Sequence, residues 1–132
     1  MNLMLWNEDC FEKIKDIPDA SVDFILTDPP YGINYQSNYY KRIGSKFDVL
    51  KGDEKLDVPI QEFYRILKPT GCALIFFSYK NKLFHAGIRN ELIWVKNNWS
   101  AGDLYRDFGN QYESIAFIPM RDFKFNNCRP SN

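Results

Sequence analysis

Four consecutive residues, Asp28-Pro29-Pro30-Tyr31, can do chemistry together. They offer a carboxylate, a backbone carbonyl with little freedom to swing away, and an aromatic ring. That set suits transfer of a methyl group to an exocyclic amine of a nucleic-acid base. Such an amine is a poor nucleophile, because its lone pair is delocalised into the ring. Two fixed acceptors, one for each N–H, hold the nitrogen nearer tetrahedral geometry and free that lone pair. Asp28 supplies one acceptor and the carbonyl of Pro29 the other. Successive prolines restrict the backbone, so the carbonyl is aimed before the substrate arrives. Tyr31 adds a face on which a base can stack, worth roughly 1–3 kcal/mol. The methyl passes directly to nitrogen without a covalent enzyme intermediate, so catalysis is mostly alignment. The plainer alternative is that Asp28 ends a strand, the prolines turn the chain and Tyr31 covers the core. The strongly apolar stretch before the motif and the basic, aromatic-laced stretch after it favour the chemical reading.

The elements around the motif must present it at an edge. Val22–Thr27 (VDFILT) is β-branched and apolar, a buried strand running into Asp28. Pro29-Pro30 stops it, since neither residue can donate to a ladder. In open α/β sheets that carboxyl edge is where ligands bind. Upstream, Asn2–Trp6 reads as a short strand. Asp9 is placed to N-cap a helix with Glu12 completing a capping box, and Phe11, Ile14 and Ile17 face the core. Downstream, Asp57 can cap a second helix whose stripe is Ile60, Phe63, Tyr64 and Leu67. Lys68-Pro69-Thr70-Gly71 ends that helix. Cys72–Phe77 (CALIFF), Glu91–Val95 (ELIWV) and Glu113–Ile118 (ESIAFI) are further strands, with Trp94 and Phe117 expected in the core. Strand, helix, strand predicts an α/β fold with a mostly parallel sheet and flanking helices. One link is short. Tyr79–Arg89 offers about a dozen residues at most, little for a parallel crossover with a full helix.

The chain of 132 residues allows a single domain, residues 1–132. With 45% hydrophobic and 17% aromatic residues it is no disordered segment. No apolar run is long enough for a membrane span, and the start MNLMLWNEDC lacks the basic opening and apolar core of a signal peptide. Three cysteines without C-x-x-C spacing and a single histidine, His85, exclude a disulfide framework and a Cys/His metal site. The expected compartment is reducing and cytoplasmic. Net charge is zero but segregated: residues 1–28 sum to −5 and residues 29–52 to +3. The positive stretch, directly after the signature, is the polar loop 31–52, longer than a loop without a function usually is. Such a loop suits contact with a polyanion, although on charge alone an ordinary solvated loop is the favoured alternative.

Asp28-Pro29-Pro30-Tyr31, with Glu8-Asp9-Cys10 and the lead-in PDASVDFILT, resembles the amino-methyltransferases of DNA, which make N6-methyladenine or N4-methylcytosine. The order of elements resembles the group in which the catalytic motif precedes the cofactor motif. YGINYQSNY, EFYRILKPTG, ELIWVKNN and QYESIAFIPM resemble the segments that follow in that family, so the likeness covers nearly the whole chain. The resemblance implies a Rossmann-like methyltransferase fold, S-adenosylmethionine as cofactor, and DNA as partner through base flipping, as in restriction–modification. It implies that Asp28 and Pro29, aimed by Pro30, accept from the target amine and that Tyr31 stacks on the flipped base. Asp9, with the Cys10 backbone, then lies by the adenosine of the cofactor. Tyr35, Tyr39, Tyr40, Lys41, Arg42 and Lys46 then close over the base or follow the phosphates. An Asp in the first motif position favours adenine N6; cytosine N4, an RNA base and a non-catalytic nucleic-acid-binding fragment are the alternatives.

The chain departs from the family in two places. Glu8 stands where family members usually read glycine. The family's Phe-x-Gly-x-Gly cofactor loop has no counterpart, for the seven glycines form no G-x-G pair. The expected fold is therefore partial and lacks the C-terminal cofactor-loop half, which a further part of the protein or a second chain would supply.

Overall fold

The strand before the signature forms as expected, with β1 spanning Val22–Thr27. The structure is a computed structural model that describes residues 3–32, 57–78, 87–97 and 111–126. Ahead of β1, helix α1 runs over Cys10–Lys13 and tightens into a 3-10 turn at Ile14–Asp16. Asp9 is its N-cap, and its carboxylate accepts from Phe11 N at 2.8 Å. The capping box does not close, because the Glu12 carboxylate is 2.8 Å from Lys15 Nζ. Residues 3–7 form no strand, so the apolar opening of the chain reflects exposed residues such as Leu3 and Leu5 rather than a sheet.

Helix α2 spans Ile60–Ile66 with Pro59 at its N-cap, two residues beyond the expected Asp57. Proline suits that end because no helical N–H is required of it. Strand β2 follows at once over Leu67–Phe77, β3 over Asn90–Val95 and β4 over Tyr112–Pro119. Lys68-Pro69-Thr70-Gly71, expected as a stop, is a bulge inside β2. The pairing jumps from Val22–Leu67 to Phe24–Cys72, and Lys68 Nζ holds both Asp23 carboxylate oxygens at 2.8 Å across it. Gly71 is required there. A Cβ on it would lie 2.8 Å from the Asp23 carbonyl oxygen and 3.2 Å from that of Lys68. Backbone cannot yield as a side-chain tip can, so Gly71→Ala should cost about 1–3 kcal/mol in urea denaturation.

The sheet order is β1-β2-β4-β3. β1 and β2 are parallel, whereas β4 is antiparallel to both β2 and β3. Three of the four strands therefore point the same way. The sheet is mixed in its pairing, not mostly parallel as expected, because β4 inserts between two co-directed strands. Its insertion brings the start of β4 to the edge where β1, β2 and β3 end.

Alternation divides the two faces. Ala73, Ile75 and Phe77 of β2 share a face with Ala116 and Ile118 of β4, and α2 packs on it through Phe63 and Ile66. The opposite face carries Phe24, Leu26, Leu92 and Trp94, all exposed, with Phe117 meeting Phe123 edge-on and stacking with Phe125. β1 is thus not the buried strand that its residues suggest, and Trp94, 51% exposed, is not core. Phe117 is core, as expected. Both exposures arise because β1 and β3 are edge strands and the described residues cover one face of the sheet.

Arg65 ties the first segment to this core. Its guanidinium donates to the carbonyls of Ile14 at 2.9 Å and Ile17 at 2.7 Å, and to Asp19 at 2.6 Å. Ala20 and Ser21 in turn donate to the carbonyls of Arg65 and Ile66. The segment bearing Asp9 and Cys10 is thereby held beside β1. Among the described residues no helix is long and apolar enough to cross a membrane, and no group of metal-ligating side chains gathers.

Candidate active site

Asp28 leaves the sheet at the end of β1, and the two prolines carry the chain away from it. A cleft of about 590 Å³ lies along the outer edge of β1. Asp28, Pro29 and Pro30 line it together with Glu8 and Cys10, while Trp6, Phe11, Phe24 and Leu26 give it a mainly apolar wall. Residues 18 and more positions apart in sequence, Cys10 and the signature, therefore open on one space. Asp57, considered above only as a helix cap, lines the same cleft. A basic group there, Lys13, is already engaged: it bonds Asp16 at 3.0 Å, approaches Glu8 at 3.6 Å, and sits 5.4 Å over the Trp6 ring.

Tyr31 stands just beyond the prolines and is half-buried. Burial pushes its phenol well above the usual range. A hydrogen bond from its hydroxyl to the Asp28 carboxylate adds to the shift, as do the charges of Asp28 and Glu113. Asp9 has a different engagement, since one oxygen is spent on the α1 cap. Tyr35, Tyr39, Tyr40, Lys41, Arg42 and Lys46 lie outside the described residues.

Sequence reasoning missed Glu113. It is the second residue of β4, at the edge where β1, β2 and β3 end, and forms an ion pair with Lys96, which directly follows β3. Both side chains are largely shielded. Lys96 N also donates to the Gln111 carbonyl at 2.7 Å, and Lys96 Nζ lies 5.7 Å over the Trp94 ring. The available signal was an acid at the first position of an otherwise apolar stretch, ESIAFI. Finding its partner requires the β3–β4 register, in which Trp94 faces Glu113.

Comparison with known proteins matches a family of DNA methylases, the N6/N4 methyltransferases, over residues 22–129. A type II methyltransferase of Haemophilus influenzae, M.HinfI, is 31% identical over 110 residues, covering 68% of this chain and 30% of that protein. The type II methyltransferase M.BglII of Bacillus subtilis is 26% identical over 141 residues, covering 92% of this chain and 36% of that one. Among solved structures, M1.HpyAVI in complex with S-adenosylmethionine superposes with a TM-score of 0.54 at 22% identity, over 96% of this chain and 61% of that one. M1.HpyAVI alone gives 0.55 at 23%, over 96% and 62%. The chain thus spans about a third of the curated relatives' length and three-fifths of the solved ones'. The solved structures share the partial α/β fold, and with the family match running from the first residue of β1 past the end of β4, the chain belongs to the N6/N4 DNA methylase family.

Proposed function

We propose that residues 1–132 are the catalytic region of an S-adenosylmethionine-dependent DNA methyltransferase that modifies the exocyclic amine of a flipped base, adenine N6 by preference, in the cytoplasm. One observation carries this reading: the carboxylate and prolines of the signature share a cleft with Cys10. The donor set fits the cofactor. An apolar cleft with Glu8, Asp28 and Asp57 on its wall, and its lysine already paired, suits a flat heterocycle attached to a positive charge. S-adenosylmethionine, when bound, supplies a methyl group on a cationic sulfur. Glu8 and Cys10 would lie by that ligand, with Asp9 holding the backbone of Cys10 in place through the cap. Asp28 and the Pro29 carbonyl would take the two N–H bonds of the target amine. Tyr31 would stack on the base, and Tyr35, Tyr39, Tyr40, Lys41, Arg42 and Lys46 would meet the DNA. With the methyl supplied from that sulfur, positive charge would pass to the target nitrogen, and Asp28 or water would accept its proton.

The shares of the relatives' length favour a second element of the reading. The remainder of the cofactor site, including a glycine-rich loop, would come from further polypeptide or a second chain. Two experiments test these points. Labelled methyl transfer to duplex DNA, followed by digestion, should yield N6-methyladenine. N4-methylcytosine would replace the adenine preference, and label in RNA alone would defeat the DNA assignment. Calorimetry with the isolated chain should detect weak binding of S-adenosylmethionine; none at millimolar cofactor would leave a non-catalytic fragment.

The role of Tyr31 has its own test. Tyr31→Ala should weaken capture of a flipped base by about 1–3 kcal/mol, some 5-fold to 150-fold. Tyr31→Phe keeps the ring and should retain most of that binding. Fluorescence of 2-aminopurine placed in single-stranded DNA reads both, and equal losses would show that the hydroxyl rather than the ring does the work.

A further inference from the structure

We propose that the Lys96–Glu113 pair sets the electrostatic potential of this site: Glu113 supplies negative charge toward Asp28 and Tyr31, and Lys96 limits how much of it arrives. The inference rests on the methyltransferase reading for its consequence and on the sheet for its geometry. Asp28 adjoins Phe76, because Thr27 pairs with Ile75. Glu113 lies one residue beyond the Phe77–Ser114 pair. Two strand spacings across and two residues along put the two backbones about 12 Å apart. Beyond burial, the charges of Asp28 and Glu113 both hold the Tyr31 phenol protonated. The pair is held in place. Lys96 is fixed through its own N–H at Gln111 and rests on Trp94, whose ring meets Phe76 edge-on at 5.9 Å.

A negative potential is what the proposed reaction uses. It favours the cationic sulfur of the bound donor and then the positive charge that grows on the target nitrogen. At about 12 Å through a half-shielded protein edge, one unit charge changes the affinity of another by about threefold to tenfold. The two partners have opposite signs, so removing them should have opposite effects. An ion pair that merely braces β3 against β4 would give the same effect from either side.

The test compares Glu113→Gln and Lys96→Met in the full chain, with thermal melts confirming that both fold. Calorimetry with S-adenosylmethionine and with the uncharged thioether S-adenosylhomocysteine gives the preference for the sulfonium. Glu113→Gln should lower that preference about threefold to tenfold and Lys96→Met should raise it. In the ligand-free chain, a fluorinated tyrosine at position 31, chosen to titrate within the stable pH range, should show its midpoint fall in Glu113→Gln and rise in Lys96→Met. Movement of both variants in one direction, or of neither, would overturn the proposal. If neither ligand binds any variant, the cofactor reading fails, and the fluorotyrosine titration still decides the role of the pair.

Discussion

Asp28→Ala should lower methyl transfer about 10²–10³-fold in the transfer-competent protein while leaving the fold intact. The size follows from removing one of two preorganised groups that act where charge develops, which commonly costs that much. The Pro29 carbonyl remains, so a residual rate is expected rather than none. Asp28 lies past the last residue of β1 and is exposed, so the thermal midpoint should hardly move. The loss should appear in kcat, because the acceptor acts on the amine only once the base is seated. Two further variants locate the effect. Asp28→Asn preserves shape and replaces one acceptor with a donor, so it should lose most of the rate too. Tyr31→Phe removes the hydroxyl that rests on Asp28 and should retain far more activity than either. Radiolabel incorporated into DNA under single-turnover conditions measures all three. An Asp28→Ala protein with wild-type kcat would remove Asp28 from the reaction.

The parts of this site that a sequence can show are the local ones. Asp9 reads as a cap because capping is settled within three residues, and its carboxylate does bond Phe11 N. Asp28-Pro29-Pro30-Tyr31 reads as a strand end because proline cannot continue a ladder. Lys68-Pro69-Thr70-Gly71 misleads in another way: the helix does end before it, yet an irregular pairing with Asp23 and Phe24 absorbs these residues inside β2 instead of leaving them ahead of a strand at Cys72. Trp94 misleads differently. Apolar character reports a preference for burial, whereas its 51% exposure depends on what the edge strand lies against. Lys96 and Glu113 are 17 residues apart and meet because β3 and β4 pair in one register. No periodicity along a single strand encodes that.

Ile75→Ala should destabilise the chain by about 2–5 kcal/mol, and Leu26→Ala by about 1 kcal/mol or less. The two positions sit on adjacent strands, Leu26 pairing with Leu74 and Ile75 with Thr27, and differ by the face they occupy. Ile75 is 0% exposed under α2, so truncation leaves a cavity that Phe63 and Ile66 cannot fill without moving. Leu26 is 60% exposed and leaves no enclosed space behind. At roughly 4 °C per kcal/mol for a chain of this size, the midpoints should separate by some 4 °C or more. Urea titration should show the same ranking with an unchanged slope. Equal, large losses at both positions would mean that the Phe24–Leu26–Trp94 face is covered in solution. The protein concentration dependence of the Leu26→Ala midpoint would then tell a covering second chain, which dilution removes, from a cover within the same molecule, which it does not.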